Sequence, residues 1–581
     1  MARRPMKMTG GDIVKRALED ESVPFTFGIP GTHNIELYDA LARSPSVRPI
    51  LVTDEQSASF MADGVSRTSG QLGCVNVVPG AGLTHALSGI AEAFMDGIPL
   101  LVLGCGVRAD TGAAFQLHDV DQMAIVAPVT KAQLRPAKGS ELYAAIRQAC
   151  RIARTPPAGP VFVEVPVDQY LFRHDPGIDA WTDPPSEPRL PDPKELDRVR
   201  DLLAGARRPL LYIGAGAQAA GAELIALAER LEAPVATTIQ GKGVFPESHP
   251  LWLWPGFGAA APPFVRSIAR SCDLTLAIGC RFSEVGTASY GLEPPGSLVH
   301  VDVDESVFNR NYPAELAVAA DAGAFVTALL QGLEARPEDP GLRAAIHDGH
   351  QTVWSGWSKQ AGEARVPPHH LLKTLQDVYG PDAIFTTDSG NGTFLAMECL
   401  RLDAPRSFLA PVDYSCMGYS VPAAIGAGLA CPERRAVALA GDGAFLMTGL
   451  ELLTAGQLKV PVTVILLRDR ELAQIAQFQQ TAMARKTASR LPDFDTEALA
   501  RGLGVEYLHL ATGAAVEDVL RDARSAHDDG RPVLVETEID YSAATYFTRG
   551  VVRTNLGRLP WPDRLRFVAR ALTRRFSEGP F

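Results

Sequence analysis

An apolar run at residues 436–440 ends in Gly441-Asp442-Gly443-Ala444, and a second, at 462–467, ends beside Asp469 with a helical pattern between them. In a parallel strand–helix–strand unit both strand ends lie on one edge of the sheet, where ligands of such sheets collect. Two carboxylates converging there are hard oxygen donors suited to Mg²⁺ held against a diphosphate. The backbone carbonyl of Glu471 adds a third oxygen in this reading, and the glycines let the backbone approach the phosphates closely. Far upstream, Glu55 opens a second pattern, Thr53-Asp54-Glu55-Gln56 followed by the helical stretch 57–67.

The elements that must carry these groups are strands and helices in alternation. The strand candidates in the first third are 25–28, 50–53, 73–78, 100–103 and 161–165. In the middle they are 210–213, 235–238, 274–278 and 298–303, and in the last third 384–387, 436–440, 462–467 and 533–538. Such alternation is the pattern of α/β proteins with parallel sheets. Pro-rich stretches at 175–193 and 335–368 read as linkers. The expected architecture is therefore three doubly wound α/β domains, at 1–175, 190–335 and 365–545, with a basic amphipathic tail at 546–581. A chain of 581 residues is too long for a single core.

Composition narrows the class. Apolar residues make up 46% and charged residues 21%, as in soluble globular proteins, and a net charge of −12 argues against a general nucleic-acid binder. Eight cysteines without a C-x-x-C pair read as reduced thiols of a cytoplasmic protein. No apolar run reaches membrane-spanning length. The tail, with Leu565, Phe567, Val568 and Leu572 among five arginines, is expected to dock on protein rather than on a membrane.

The stretch from Gly441 to Asp469 resembles the cofactor motif of thiamine-diphosphate (ThDP) enzymes, which begins Gly-Asp-Gly and usually ends Asn-Asn; here the final pair is Arg468-Asp469. The segment around Glu55 is similar to the one carrying the family's catalytic glutamate. That carboxyl shares a proton with the coenzyme's pyrimidine ring. Residues 412–427 resemble the segment that bends the coenzyme, with Met417 between its rings and the Ser415 carbonyl as an acceptor. Gly390-Asn391-Gly392 lies where the family binds the diphosphate, and Pro79 sits in a block that replaces the usual Gly-Pro-Gly. The resemblance covers about residues 8 to 545 and is nearest to the acetolactate (acetohydroxyacid) synthase and pyruvate oxidase branch. It implies ThDP and Mg²⁺ as cofactors, a small 2-oxoacid as substrate, and a homodimer or homotetramer with Glu55 and Asp442 of one site on different subunits.

Three short matches favour the synthase branch: Ala114-Phe115-Gln116, Val129-Thr130-Lys131 and Gln477-Phe478. They imply an active-site wall containing Phe115, Gln116, Lys131 and Phe478. His33, on a loop that faces the coenzyme in relatives, is a candidate proton donor or carboxylate ligand, His118 is a similar candidate, and His85 reads as structural. The middle block carries Gly214-Ala215-Gly216 after a strand, a weak signal that leaves FAD possible. The expected activity is decarboxylation of a 2-oxoacid followed by addition to a second carbonyl. The alternatives are a non-oxidative 2-oxoacid decarboxylase, a flavin-linked oxidase, and a catalytically silent regulatory relative.

Overall fold

The computed structural model describes residues 7–183, 187–358 and 364–577. The strand candidates form three six-stranded sheets in which every pairing is parallel. The first contains β1 (Phe25–Gly28), β2 (Arg48–Leu51), β3 (Gly73–Val77), β4 (Leu100–Gly106), β5 (Ala132–Leu134) and β6 (Pro160–Pro166). The second contains β7 (Pro209–Ile213), β8 (Val235–Thr237), β9 (Trp252–Pro255), β10 (Leu274–Ile278), β11 (Ser297–Asp302) and β12 (Leu316–Ala319). The third contains β13 (Ile384–Thr387), β14 (Phe408–Leu409), β15 (Ala436–Gly441), β16 (Val462–Arg468), β17 (Glu506–Leu510) and β18 (Val533–Glu538). Central strands such as β4 and β16 are buried along their whole length. Helices cover both faces of such sheets, so these strands read as continuous apolar runs rather than alternating ones.

Strand order distinguishes the domains. The outer two share one order: β2-β1-β3-β4-β6-β5 in the first and β14-β13-β15-β16-β18-β17 in the third. The central sheet runs β9-β8-β7-β10-β11-β12, the order of dinucleotide-binding folds. The matching outer domains place equivalent helices against each other. Helix α1 (Glu55–Ser69) follows the second strand of its domain, and α2 (Ala81–Asp96) follows the third. In the third domain α3 (Asn391–Cys399) follows β13, α4 (Ser420–Ala430) follows β14, and α5 (Asp442–Thr448) follows β15.

Helices α1 and α4 cross in close contact. A Cβ on Gly64 would stand 2.4 Å from the Ala423 carbonyl oxygen, and one on Gly426 would stand 2.2 Å from that of Met61. Only glycine permits such backbone approach. At this crossing the buried Asp63 holds Arg67 (2.6 Å), Arg67 reaches on to Asp96 (2.8 Å), and the Tyr419 hydroxyl donates to Asp63. A core shared by the first and third domains surrounds these contacts. The helix that Glu55 begins and the domain that carries Asp442 therefore share one packed core.

The tail is two helices, α7 (Tyr546–Arg558) and α8 (Trp561–Ser577), the latter packing on α6 (Ala473–Met483). No described helix is long and apolar enough to cross a membrane.

Candidate active site

The third domain gathers its candidate residues at the carboxyl ends of β13, β15 and β16. Asp442 is 2% exposed and accepts hydrogen bonds from the Gly443 amide (2.9 Å) and the Arg470 amide (2.7 Å). Asp469 accepts from the Glu471 amide at 3.2 Å. Burial raises both carboxyls, and for Asp469 the neighbouring Asp442 adds to the effect, pushing it up to about 7. Two desolvated carboxylates that repel one another suit a divalent cation. The Glu471 side chain is turned to Lys486 (2.5 Å), so only its backbone is left for the role expected of it. Arg468, at the position of the family's first Asn, is buried elsewhere. It pairs with Asp493 (2.5 Å) and Glu536 (3.2 Å) and lies 4.1 Å from the centre of the Phe494 ring.

The loop after β13 meets the segment after β14. Buried Asp388 accepts from the amides of Tyr419 (2.7 Å) and Ser420 (3.3 Å), and the Ser389 and Ser415 hydroxyls lie 2.8 Å apart. Ser415 has φ +66° and Gly418 φ +85°, so the chain turns sharply on either side of Met417. The Met417 methyl group approaches the position a Gly443 Cβ would take, at 3.5 Å. The first domain holds this segment: Glu92 accepts from the Cys416 amide (3.1 Å) and Asp96 from the Asp413 amide (3.4 Å). Gly390 has φ +134°, and neither it nor Gly441 has any atom within 4 Å of where a Cβ would lie. Asn391 opens α3 with Gly392 behind it, and its side-chain amide donates to Gln477 (3.2 Å), which in turn donates to the Tyr541 carbonyl (3.1 Å). Ala444 is buried in the first turn of α5.

In the first domain Glu55 begins α1 and is 7% exposed. A Cβ on Gly82 would come within 3.1 Å of its Oε1. His85, read from the sequence as structural, places Nδ1 3.3 Å from Glu55 Oε2 and 3.7 Å from Asp54. Asp54, Glu55 and His85 are the one group of three such side chains with ligand atoms within 4.8 Å among the described residues. They differ from the expected metal set because that set has two carboxylates and a backbone oxygen. Pro79 is buried in the turn after β3, which Gln122 fixes by accepting from the Gly80 amide (3.2 Å) and donating to the Cys105 carbonyl (3.0 Å). Neither Gln122 nor Glu92 was singled out by sequence, since each acts by holding backbone and carries no motif.

The histidines meet. The rings of His33 and His118 lie 5.5 Å apart, edge to face, although 85 residues separate them, and the His118 backbone packs over Gly80. Burial and the neighbouring ring hold His33 below the usual histidine range.

Other expected wall residues lie apart. Within one protomer Lys131 lies apart from the other candidates: its ammonium donates to the carbonyls of Ile152 (2.6 Å) and Thr155 (2.5 Å), at the C-terminal end of a helix leading into β6. That is the amino edge of the sheet, where a lysine satisfies unpaired helix carbonyls. Phe115 is fully exposed with φ +57° and lines no wall within one protomer. Gln116 turns its amide back to the Arg108 carbonyl (3.0 Å). Phe478 is half-buried on α6, one residue from Gln477.

These residues fit a diphosphate coenzyme and its metal. The open glycine turns at 390 and 441 leave room for phosphate oxygens, the repelling pair Asp442 and Asp469 suits a divalent cation, and Glu55 sits in the semi-buried position a proton-sharing acid needs.

Comparison with known proteins gives the family. Residues 8–125 match the thiamine pyrophosphate enzyme N-terminal TPP binding domain, 196–329 the central domain, and 388–537 the C-terminal TPP binding domain. The chain is 30% identical to an acetolactate synthase large subunit of Corynebacterium glutamicum, covering 92% of this chain and 87% of that one. It is 30% identical to a probable acetolactate synthase large subunit of Methanocaldococcus jannaschii, covering 92% and 93%. A probable 2-ketoarginine decarboxylase of Pseudomonas aeruginosa is 35% identical, over 81% of this chain and 84% of that one.

Proposed function

Because the chain belongs to the thiamine pyrophosphate enzyme family, we propose that it is an acetolactate-synthase-like enzyme that decarboxylates a small 2-oxoacid and joins the remainder to a second carbonyl. The observation that carries the reading is the buried, mutually repelling pair Asp442 and Asp469 beside open glycine turns. Those two side chains and the Glu471 carbonyl would hold Mg²⁺, with Gly390, Asn391, Gly392, Gly441, Gly443 and Ala444 around the diphosphate and Ser415, Met417, Pro79 and Glu55 around the rings. When bound, ThDP supplies the electron sink that lets a 2-oxoacid lose CO₂. Glu55 would share a proton with the pyrimidine, while Met417 and the sharp turns at Ser415 and Gly418 would orient that ring.

The site is completed by a second copy. Leu446, Met447, Leu450 and Leu453, just beyond Asp442, are large apolar side chains exposed in the single chain, as are Leu51, Phe115 and Leu117. A partner covering them would bring Phe115 and Gln116 to a wall and supply one half of each site. The eight free thiols, seven of them buried, suit a cytoplasmic enzyme.

A second reading, decarboxylation to an aldehyde, is favoured by the contact between His33 and His118. A proton delivered there to the carbon that lost CO₂ would replace carbon–carbon bond formation. Incubation with pyruvate and a panel of longer 2-oxoacids, with ThDP and Mg²⁺, separates the two. Acetolactate or another hydroxyketo acid supports the first, aldehyde alone the second, and absence of CO₂ release from every 2-oxoacid overturns both.

A further inference from the structure

The central sheet has the strand order that receives dinucleotides at its carboxyl edge, at the switch point between β7 and β10. The turn after β7, Gly214-Ala215-Gly216, is where a flavin dinucleotide would place its phosphates against free backbone amides. Four of the amides between Gly214 and Gln218 are already engaged. Gly214 N–H donates to the Ile278 carbonyl (2.9 Å), Gly216 to Gly279 (3.2 Å), Ala217 to Gly214 (3.1 Å) and Gln218 to Ala215 (3.1 Å). The two loops flanking the switch point touch through their backbones: a Cβ on Gly214 would lie 2.0 Å from the Gly279 oxygen. Gly279, at φ +64°, lies so close that its own Cβ would stand 2.7 Å from the Ala217 nitrogen. The gap between these two loops is closed. The residues at this edge do not fit FAD.

Further along the same edge lies the chain's own helix α7. Gly550 rests on the turn after β9, where a Cβ would be 2.2 Å from Ala260 Cα. Asn555 donates to the Ser289 hydroxyl (3.3 Å), Thr554 Oγ1 is 2.4 Å from where a Gly291 Cβ would lie, and Arg558 sits 5.5 Å from the centre of the Tyr290 ring. Ser289, Tyr290 and Gly291 belong to the loop after β10, and Ala288, Ser289 and Tyr290 all have positive φ. Three consecutive non-glycine residues in that region are costly and persist only where the surroundings impose them. At its other end α7 is fixed to α3: Glu398 accepts from the amides of Tyr546 (3.1 Å) and Phe547 (2.7 Å), and Phe394 stacks on Phe547 at 4.4 Å. Helix α3 begins at Asn391, in the proposed diphosphate loop.

We infer that α7 occupies the ligand edge of the central domain in place of a dinucleotide, and braces that domain to the helix carrying the diphosphate loop. The central domain of this enzyme binds no flavin. This inference is independent of which 2-oxoacid the enzyme takes, because neither of its tests reads turnover.

The first test is on purified full-length protein with ThDP and Mg²⁺ added. It is expected to release no flavin on denaturation and to leave the fluorescence of added FAD unchanged; stoichiometric flavin, or saturable binding of FAD, would overturn the inference. The second uses Gly550→Leu and the milder Asn555→Ala. Lifting α7 is expected to lower the Tm by several degrees, raise the ThDP Kd severalfold, and open the chain to limited proteolysis near residue 545. Should Asn555→Ala, or a folded Gly550→Leu, match the wild type in all three, the bracing role is wrong.

Discussion

Glu451, on the turn that follows α5, accepts hydrogen bonds from both the amide (3.2 Å) and the hydroxyl (2.7 Å) of Thr53, two residues before Glu55. Thr454 donates to the same carboxyl at 2.5 Å. A buried side chain of the third domain thus sets the backbone from which the first domain's candidate acid projects. Glu451→Ala would leave the Thr53 donors unsatisfied, at a cost of about 1–3 kcal/mol. It should lower Tm and slow turnover together, whereas Glu451→Gln, which keeps an acceptor oxygen, should recover part of both. Thermal melts and steady-state rates on the two variants check this; equal behaviour of Ala and Gln would remove Glu451 from a positioning role.

Glu55 itself is expected to act on the proton and not on binding. Glu55→Gln keeps the shape and a hydrogen-bonding group but cannot exchange a proton. Loss of such a group typically costs about 10²–10⁴-fold. Exchange of the C2 proton of bound ThDP, followed by NMR after acid quench, should slow by that order, while the ThDP Kd changes little. Exchange at the wild-type rate would contradict the assignment.

The crossing of α1 and α4 should tolerate no added carbon. At Gly64 the obstacle is the Ala423 backbone, 2.4 Å from the position of a Cβ, and backbone cannot swing aside. Gly64→Ala is expected to destabilise by at least about 1–3 kcal/mol, the usual cost of overpacking. Gly502, with nothing within 4 Å of its Cβ position, provides the control. Urea midpoints for Gly64→Ala and Gly502→Ala compare the two.

Acid should weaken the central domain through His350. Its ring is sandwiched by Trp252 at 4.9 Å and Trp354 at 5.2 Å, with Nε2 3.3 Å from the Trp252 carbonyl oxygen. Burial, aided by the nearby Arg401 guanidinium, pushes it down to about 4 from an ordinary 6.5. Between those values the unfolded chain binds the extra proton, so stability is complete above pH 6.5 and falls as pH drops toward 4. One histidine with that shift contributes at most about 3 kcal/mol. His350→Phe should flatten the fall in Tm between these two pH values; an unchanged slope would assign the acid sensitivity elsewhere.

Much of this was legible in the sequence, and the omissions share a cause. The strands foreseen are β1 to β4, β6 to β8, β10, β11, β13, β15, β16 and β18; those missed, β5, β9, β12, β14 and β17, are all edge strands. An edge strand pairs on one side only. It can therefore be as short as Phe408–Leu409, as polar as Glu506–Leu510, or end in proline as Trp252–Pro255 does. At the site, Asp442, Asp469 and Glu55 were visible because carboxylates beside glycine turns or at a helix start make a pattern. Glu451, Glu92 and Gln122 were not, because their partners are backbone groups or side chains distant in sequence. Lys131 lies apart from the other candidates in the single chain, and a short match says nothing about which edge of the sheet its side chain reaches.

The central claim is that a magnesium-bridged ThDP is held by Asp442 and Asp469. Titration calorimetry of ThDP into the full-length protein in excess Mg²⁺ measures it most directly. The account predicts saturable binding at one ThDP per protomer in the wild type and its loss in both Asp442→Asn and Asp469→Ala, with circular dichroism showing both variants folded. Unaltered ThDP affinity in either variant, or no binding by the wild type, would contradict it.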